Sequence, residues 1–256
     1  MHAAMQLSIA TLNLLGSADR WDERQPLVVS EFARLAPDLM ALQEADFAAA
    51  QECAVAEGGP DGYAVHRAGE SRPDYGNALL VRHGLDRPEA VRDGGDRVEL
   101  DDERSGVVVD LTLPSDAARL RVMSTHLHWV PDERRVRLDE VRRLLEELAE
   151  RPAADATLIA GDLNATPDEP ACDALREAGF RSAYEAANGG EPEWTYPNPA
   201  TPADVAVRPP SCLDYIWVAG AARVVAARTV FETPPRDDPT LYPSDHRGLL
   251  AVLEIG

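Results

Sequence analysis

Apolar side chains along this chain occur in short runs, and most of the runs have the alternation typical of strands. Residues 6–14 place apolar side chains at nearly every second position, which predicts a first strand. Further strands are predicted at residues 38–44, 63–67, 76–82, 98–113, 120–129, 158–164, 213–218 and 249–255. The chain is therefore predicted to be rich in strands from end to end.

Helical spacing appears in fewer places. Residues 26–36 and 131–151 carry apolar side chains three and four positions apart, and two prolines frame a short helix at 171–178. Residues 188–210 and 233–243 are rich in loop residues, and a long irregular segment is usually a functional loop or an insertion. Strands that alternate with helices but also follow one another favour sheets packed together, with helices outside.

Polar side chains stand at the ends of several predicted strands. Asp162 and Asn164 end the run at 158–164 and point the same way, as side chains two positions apart do in a strand. A carboxylate and an amide side by side suit a hard cation or a nucleophilic water, although the same residue types also form ordinary turns. Asn13 follows the first strand, as a ligand, an orienting group or a turn residue.

Other strand ends repeat this pattern. Glu44 follows a buried strand, as a second metal-binding acid or as an acid in the first turn of a helix. His126 lies near the end of another strand, in a structural or a functional role. Asp214 heads a later strand, and the neighbouring pair Asp245 and His246 precedes the last one. If these groups share one site, residues 1–256 form a single domain.

Composition and charge disfavour some classes of function. The chain has 256 residues, 45% of them hydrophobic, and a net charge of −20 with a pI near 4.6. Such a charge repels polyanions and disfavours tight non-specific binding of nucleic acid. Three separated cysteines indicate neither a disulfide framework nor a zinc site. No transmembrane run or signal peptide is apparent, so a cytoplasmic location is expected. The oligomeric state is not predicted.

Six short motifs follow one another across the chain. They are Thr-Leu-Asn at 11–13, Leu-Gln-Glu at 42–44, Thr-His-Leu at 125–127, Gly-Asp-Leu-Asn at 161–164, Leu-Asp-Tyr-Ile at 213–216 and Ser-Asp-His at 244–246. In this order they resemble the endonuclease/exonuclease/phosphatase superfamily, to which deoxyribonuclease I is similar. The resemblance implies an α/β (α+β) four-layer sandwich of two packed mixed β-sheets flanked by helices. It also implies hydrolysis of a phosphoester that depends on one or two ions of Mg²⁺ or Mn²⁺.

The resemblance also implies metal ligands and a proton-transfer group. Glu44 would be the principal metal ligand, helped by Asn13 and Asp245. His246 would act as general base or transition-state stabiliser, with Asp214 orienting its ring.

The remaining motif positions would contact water or substrate. Asp162 and Asn164 would position the attacking water or a second metal, and His126 would contact the scissile phosphate or assist the leaving group. For substrate binding we predict Asn77 and Trp194, in the regions expected to set preference.

Arg134 is the third predicted substrate contact. With Arg135 and Arg137 it lies close in sequence to His126 and could hold a phosphate; a solvated face paired with acids such as Asp139 is the alternative.

Three functions are compatible with these features. The first is a metal-dependent phosphatase or phosphodiesterase that acts on a small phosphorylated substrate. The second is a metal-dependent nuclease for DNA or RNA, which would need a basic rim, for example Arg134, Arg135, Arg137 and Arg208. The third is a non-catalytic binding module. Abasic-site endonucleases usually have an acid and a lysine where this chain has Leu15 and Asp46, which disfavours a DNA-repair role.

Overall fold

Two six-stranded sheets form the centre of the molecule. The computed structural model describes residues 5–85, 95–101, 103–114, 118–199 and 209–256. In that part of the chain the strands are β1 (Met5–Asn13), β2 (Leu39–Asp46), β3 (Tyr63–Gly69), β4 (Tyr75–Arg82), β5 (Asp96–Glu99), β6 (Ser105–Thr112), β7 (Arg119–His126), β8 (Ala156–Asp162), β9 (Arg181–Ser182), β10 (Asp214–Gly220), β11 (Ala222–Val230) and β12 (Gly248–Ile255). The first sheet has the order β11-β12-β1-β2-β4-β3, and the second β5-β6-β7-β8-β10-β9.

Helices flank the two sheets. They are α1 (Trp21–Leu35), α2 (Gln51–Gly58), α3 (Arg134–Glu150), α4 (Pro170–Glu177) and α5 (Ala183–Asn188). The inner faces pack together through buried side chains such as Leu7 and Leu120. Phe32 of α1 packs on the outer face of the first sheet, and Leu144 of α3 on that of the second. This arrangement confirms the predicted four-layer sandwich of two mixed sheets.

Strand directions bring the predicted polar ends to one edge. In the first sheet β1 and β2 are parallel, and β12 and β4 run antiparallel to them, so the ends of β1 and β2 meet the starts of β12 and β4. In the second sheet the ends of β7 and β8 meet the starts of β6 and β10 in the same way. All motif residues therefore lie along one rim of the sandwich.

Some element bounds differ from the prediction. The helix predicted at 26–36 begins at Trp21, because buried Arg24 donates to five backbone carbonyls around the first turn. The helix predicted from Pro131 begins only at Arg134. The predicted strand at 98–113 is a hairpin of β5 and β6, and its turn carries Arg104. Within the described residues, no helix has the length and apolar content needed to cross a membrane.

Candidate active site

A cleft of about 360 Å³ opens at the shared rim of the two sheets. It is lined by Glu44, Tyr75, Arg104, His126, Trp129, Asp162, Asn164, Tyr196, Leu213, Asp245 and His246. Six of the predicted site residues are among these, although they are separated by up to 202 positions in sequence. In particular, Glu44 and Asp245 face the same cleft, as a shared metal site requires.

A bulge in β2 directs Glu44 into the cleft. The pairing of β2 with β4 shifts register between Leu42 and Ala45, and Glu44 has φ 52°. A left-handed non-glycine residue is strained, and such strain often marks functional positions. Glu44 Oε2 accepts from the Tyr75 hydroxyl at 2.6 Å. Burial opposes ionisation, but the charge of His126 and the Tyr75 hydrogen bond lower the pKa of Glu44.

Asn13 joins two carboxylates. Its Nδ2 atom donates to Glu44 Oε1 at 3.0 Å and to Asp162 Oδ2 at 3.1 Å. Its Oδ1 atom accepts from the Leu15 backbone N–H at 3.0 Å, the contact that an asparagine makes in a turn. These contacts match the orienting and the turn role predicted for Asn13, and its role as a metal ligand stays a prediction.

Asp162 lies at the centre of the site because β7 and β8 approach closely. The preceding Gly161 has φ +150°, and a Cβ there would lie 1.9 Å from the Thr125 carbonyl oxygen, so only glycine fits. Asp162 Oδ1 accepts from the Asn164 backbone N–H at 2.8 Å. Burial disfavours its charge, but His246 and His126 outweigh burial and lower the pKa of Asp162.

His246 lies between two carboxylates. Its Nδ1 atom is 2.9 Å from Asp214 Oδ2, and its Nε2 atom is 3.7 Å from Asp162 Oδ2. Burial lowers the pKa of His246, but the charge of Asp214, followed by that of Asp162, raises it well above its ordinary value. The Tyr196 ring packs on the imidazole, with the ring centroids 4.8 Å apart. The structure therefore favours a fixed imidazolium at this position.

His126 has different partners. Arg104 Nη1 lies 2.9 Å from its Nδ1 atom, and Asn164 Nδ2 lies 3.1 Å from its Nε2 atom. Both neighbours are donors, so neither nitrogen of His126 has a carboxylate as its nearest partner. Carboxylate oxygens lie further away: Glu70 Oε1 is 3.5 Å from Nδ1, and Asp162 Oδ2 is 3.6 Å from Nε2. Arg104 also forms a buried ion pair of 2.8 Å with Glu70.

The donor set suits a hard divalent cation. Glu44, Asp162 and Asp245 bring three carboxylates into one cleft. Burial, followed by repulsion from Glu44, raises the pKa of Asp245. A divalent ion would relieve this repulsion. Asp162, Asp214 and His246 also offer atoms within 4.8 Å of one another, but there the imidazole already lies between the carboxylates.

The three predicted substrate contacts do not line the cleft. Asn77 is fully buried, and its amide donates to the Ser105 carbonyl at 2.8 Å, behind the site. The Arg247 guanidinium packs over the indole of Trp194, with its Cζ atom 4.2 Å from the ring centroid. Arg134 is exposed near the start of α3. None of the three is among the residues that line the cleft, and their role in substrate binding stays a prediction.

The basic rim that a nuclease would need is also not assembled by α3. Arg137 is fully buried and binds Glu169, whereas Arg135 pairs with Asp139 at 2.8 Å. The alternative of a solvated face paired with acids is confirmed for Arg135. Arg208 lies outside the described residues.

Several residues of the site were not predicted as site residues. Tyr75, Arg104, Trp129 and Tyr196 line the cleft, and Glu70 supports it from behind. Tyr75 lies two positions before Asn77, and Trp129 three after His126. For Tyr75 and Trp129 the available signal was proximity to a predicted strand end, which does not separate a cleft side chain from a solvated one. Arg104 lies inside the predicted strand at 98–113 and Tyr196 inside the predicted loop at 188–210, so they lacked even that signal.

Comparison with known proteins gives one family. The profile described as "Endonuclease/Exonuclease/phosphatase family" matches residues 10–246. A search of curated proteins found no significant match.

Solved structures share the fold. A Bacteroides thetaiotaomicron endonuclease/exonuclease/phosphatase family protein has 17% identity and a TM-score of 0.81, covering 100% of this chain and 97% of that chain. D. rerio TDP2, solved with a single-strand DNA product, has 20% identity and a TM-score of 0.78, covering 97% and 98%. The human Nocturnin catalytic domain, solved with a sulfate anion, has 21% identity and a TM-score of 0.77, covering 98% and 94%.

Proposed function

Since the chain belongs to the endonuclease/exonuclease/phosphatase family, we propose that it hydrolyses a small phosphoric ester by metal-assisted attack of water. The observation that carries this proposal is the convergence of Glu44 and Asp245 with two histidines around Asp162 in one cleft. A binding module without catalysis would not require both histidines to face the same carboxylate.

Glu44 and Asp245 are the proposed ligands of Mg²⁺ or Mn²⁺, with Asn13 orienting Glu44. When bound, the ion would neutralise charge on the phosphate oxygens and make a bound water more acidic. Hard oxygen donors favour these cations over softer ones.

Asp162 is the proposed acceptor of the proton from the attacking water. Its carboxylate is fixed by the Asn13 amide and the Asn164 backbone N–H, so one orientation is set before the substrate binds. His246, held by Asp214, would donate hydrogen bonds to the charge that develops on the phosphate. His126, on the opposite side of Asp162, would contact the phosphate or the leaving group.

Charge favours a small substrate over a polymer. Among the described side chains that line the cleft, Arg104 is the one arginine or lysine, and the net charge of −20 opposes a polyanion. The D. rerio TDP2 structure contains a DNA product, so a nuclease remains the second candidate. Hydrolysis of single-stranded DNA that falls steeply with salt would favour it.

Turnover of bis(p-nitrophenyl) phosphate tests the proposal. We expect release of p-nitrophenolate with Mn²⁺ or Mg²⁺, complete loss in excess chelator, and recovery on adding the ion back. Replacing Glu44 with Gln (Glu44→Gln) should lower kcat by about 10²- to 10³-fold, because an ion that stabilises the transition-state charge would be lost.

The matched control is Glu146→Gln, which changes the same group on the exposed face of α3 and should keep wild-type kcat. Undiminished hydrolysis in excess chelator would refute metal dependence, and equal kcat for the two variants would refute the role of Glu44.

A further inference from the structure

Trp129 lies at the cleft and is 58% exposed. In the described part of the chain, Val225 on β11 is the other exposed large apolar side chain, at 41%. A tryptophan side chain normally stabilises a fold by being buried, and an exposed tryptophan contributes little in this way. Its position on the wall of a polar cleft therefore points to contact with a ligand.

The backbone that carries Trp129 is rigidly held. Arg137 is fully buried, and it binds Glu169 through Nε at 3.0 Å and through Nη2 at 2.8 Å. Its guanidinium also donates to backbone carbonyls on both sides of Trp129, namely those of His128, Val130 and Pro131. The indole is therefore exposed on a loop whose backbone is held in place by hydrogen bonds.

A second aromatic side chain enters from the other side. Trp129 follows β7, and Tyr196 pairs through its backbone with Ser211, just before β10. Because β8 lies between β7 and β10 in the sheet, the two rings approach the cleft on opposite sides of Asp162. Tyr196 already packs on His246. The indole of Trp129 is the larger and more exposed surface.

We propose that Trp129 is a stacking platform for a planar heterocycle on the substrate, so that the ester is a small, nucleotide-like molecule. This inference rests on the proposed function, because it places the phosphate at Asp162 and the heterocycle beside it. A flat indole face favours flat aromatic groups, and base-to-aromatic stacking changes affinity by about five- to hundredfold. The other lining groups are mostly polar, which does not suit an acyl chain.

Binding of adenosine 5′-monophosphate, with ribose 5-phosphate as the comparison, tests the platform. Excess chelator is present in these titrations, so that neither ester is hydrolysed. By titration calorimetry the wild type should bind the nucleotide about five- to hundredfold more tightly than the sugar phosphate. Trp129→Ala should lose most of that difference, and Trp129→Phe should keep most of it. Nucleotide binding should quench tryptophan fluorescence in the wild type and lose most of that quenching in Trp129→Phe. Val225→Ala is the matched control and should behave as the wild type.

Two esters with the same leaving group separate this inference from the proposed function. Thymidine 5′-(p-nitrophenyl) phosphate carries a base, and methyl p-nitrophenyl phosphate does not. We expect a lower KM for the thymidine ester, and Trp129→Ala should bring the selectivity ratio close to one.

Each outcome decides one of the two proposals. Hydrolysis of both esters without preference, together with equal binding of nucleotide and sugar phosphate, would overturn the platform and leave the hydrolase intact. Nucleotide binding that depends on Trp129, without hydrolysis of either ester with any divalent ion, would support the platform and overturn the proposed function. Binding to phosphatidylcholine vesicles that depends on Trp129, without nucleotide binding, would overturn the platform in favour of a membrane contact.

Discussion

The two histidines beside Asp162 are equally close to it but are held in opposite ways. Nε2 of His246 is 3.7 Å and Nε2 of His126 is 3.6 Å from Asp162 Oδ2. The other nitrogen of His246 faces the carboxylate of Asp214, whereas both nitrogens of His126 have a donor as their nearest partner. We call these the His246 side and the His126 side of the cleft.

This difference distinguishes His246, which a carboxylate holds, from His126, whose nearest partners are donors. A carboxylate behind an imidazole sets its tautomer and favours the charged ring. At His126 a donor is the nearest partner of each nitrogen, so no carboxylate holds this ring as Asp214 holds that of His246. Residues with the same distance to one carboxylate therefore need not have the same role in catalysis.

Replacing each histidine with alanine should give the largest difference in kcat between the His246 side and the His126 side. His246→Ala should lower kcat by about 10³- to 10⁴-fold, because the fixed donor to the developing charge is lost. His126→Ala should lower kcat by about 10- to 100-fold. The measurement is kcat for bis(p-nitrophenyl) phosphate at saturating Mn²⁺, and a larger loss for His126→Ala would reverse the assignment.

Neutralising the carboxylate behind each ring is the next largest change. Asp214→Asn should lower kcat by about 10²- to 10³-fold, because Asp214 is the one partner found at His246 Nδ1 in the described structure. Glu70→Gln should lower kcat about tenfold or less, because Arg104 remains at His126 Nδ1. Circular dichroism should confirm that both variants are folded. Equal losses would show that the two carboxylates act alike.

The buried ion pair on the His126 side should affect stability as well as activity. Arg104→Met leaves Glu70 buried without its cation and should lower the free energy of unfolding by about 3 kcal/mol. The double variant Arg104→Met/Glu70→Gln should recover much of that loss. Arg20→Met, which breaks exposed ion pairs with Glu23 and Asp238, is the control and should change stability far less. Urea unfolding gives all of these values, and additivity in the double variant would contradict the coupling.

The smallest expected effect on activity concerns a buried acid beside the His126 side, whose ionisation should change stability with pH. Burial, and after it neighbouring Asp101, raise the pKa of Glu140 to about 8, against a hydrogen bond from the His128 backbone and the charge of Arg104, which lower it. A folded pKa above the unfolded value means that Glu140 destabilises the protein increasingly as pH rises from about 4.5 to about 8. Glu140→Gln should therefore be more stable than the wild type at pH 9, by up to about 5 kcal/mol, with little difference near pH 4.5.

Thermal unfolding across that pH range is the measurement. Asp101→Asn serves as a comparison, because removing its charge should reduce the pH dependence without abolishing it. A constant difference between Glu140→Gln and the wild type at every pH would show that the effect is packing and not ionisation.

The element bounds show where sequence patterns were sufficient. Alternating apolar residues identified strands such as β1 and β12 to within a residue or two, because one side of each strand is buried by the facing sheet. The start of α1 was placed five residues late, because Arg24 holds it by contacts to Leu14 and Pro243, both outside the helix. Contacts of that kind leave no periodic signal.

The sequence by itself determined the strand-rich α/β class, the four-layer arrangement implied by the six motifs, and the side chains Glu44, His126, Asp162, Asp245 and His246 now found in one cleft. These follow from local features, since strand ends and turn residues are encoded by neighbouring positions. Tertiary structure alone decided that Asn13 faces two carboxylates, that Asn77 is buried behind the site, and that Arg104 and Trp129 reach the cleft. The physical reason is that the orientation of a side chain depends on strand register and on partners far away in the chain, such as Arg137 beneath the loop of Trp129.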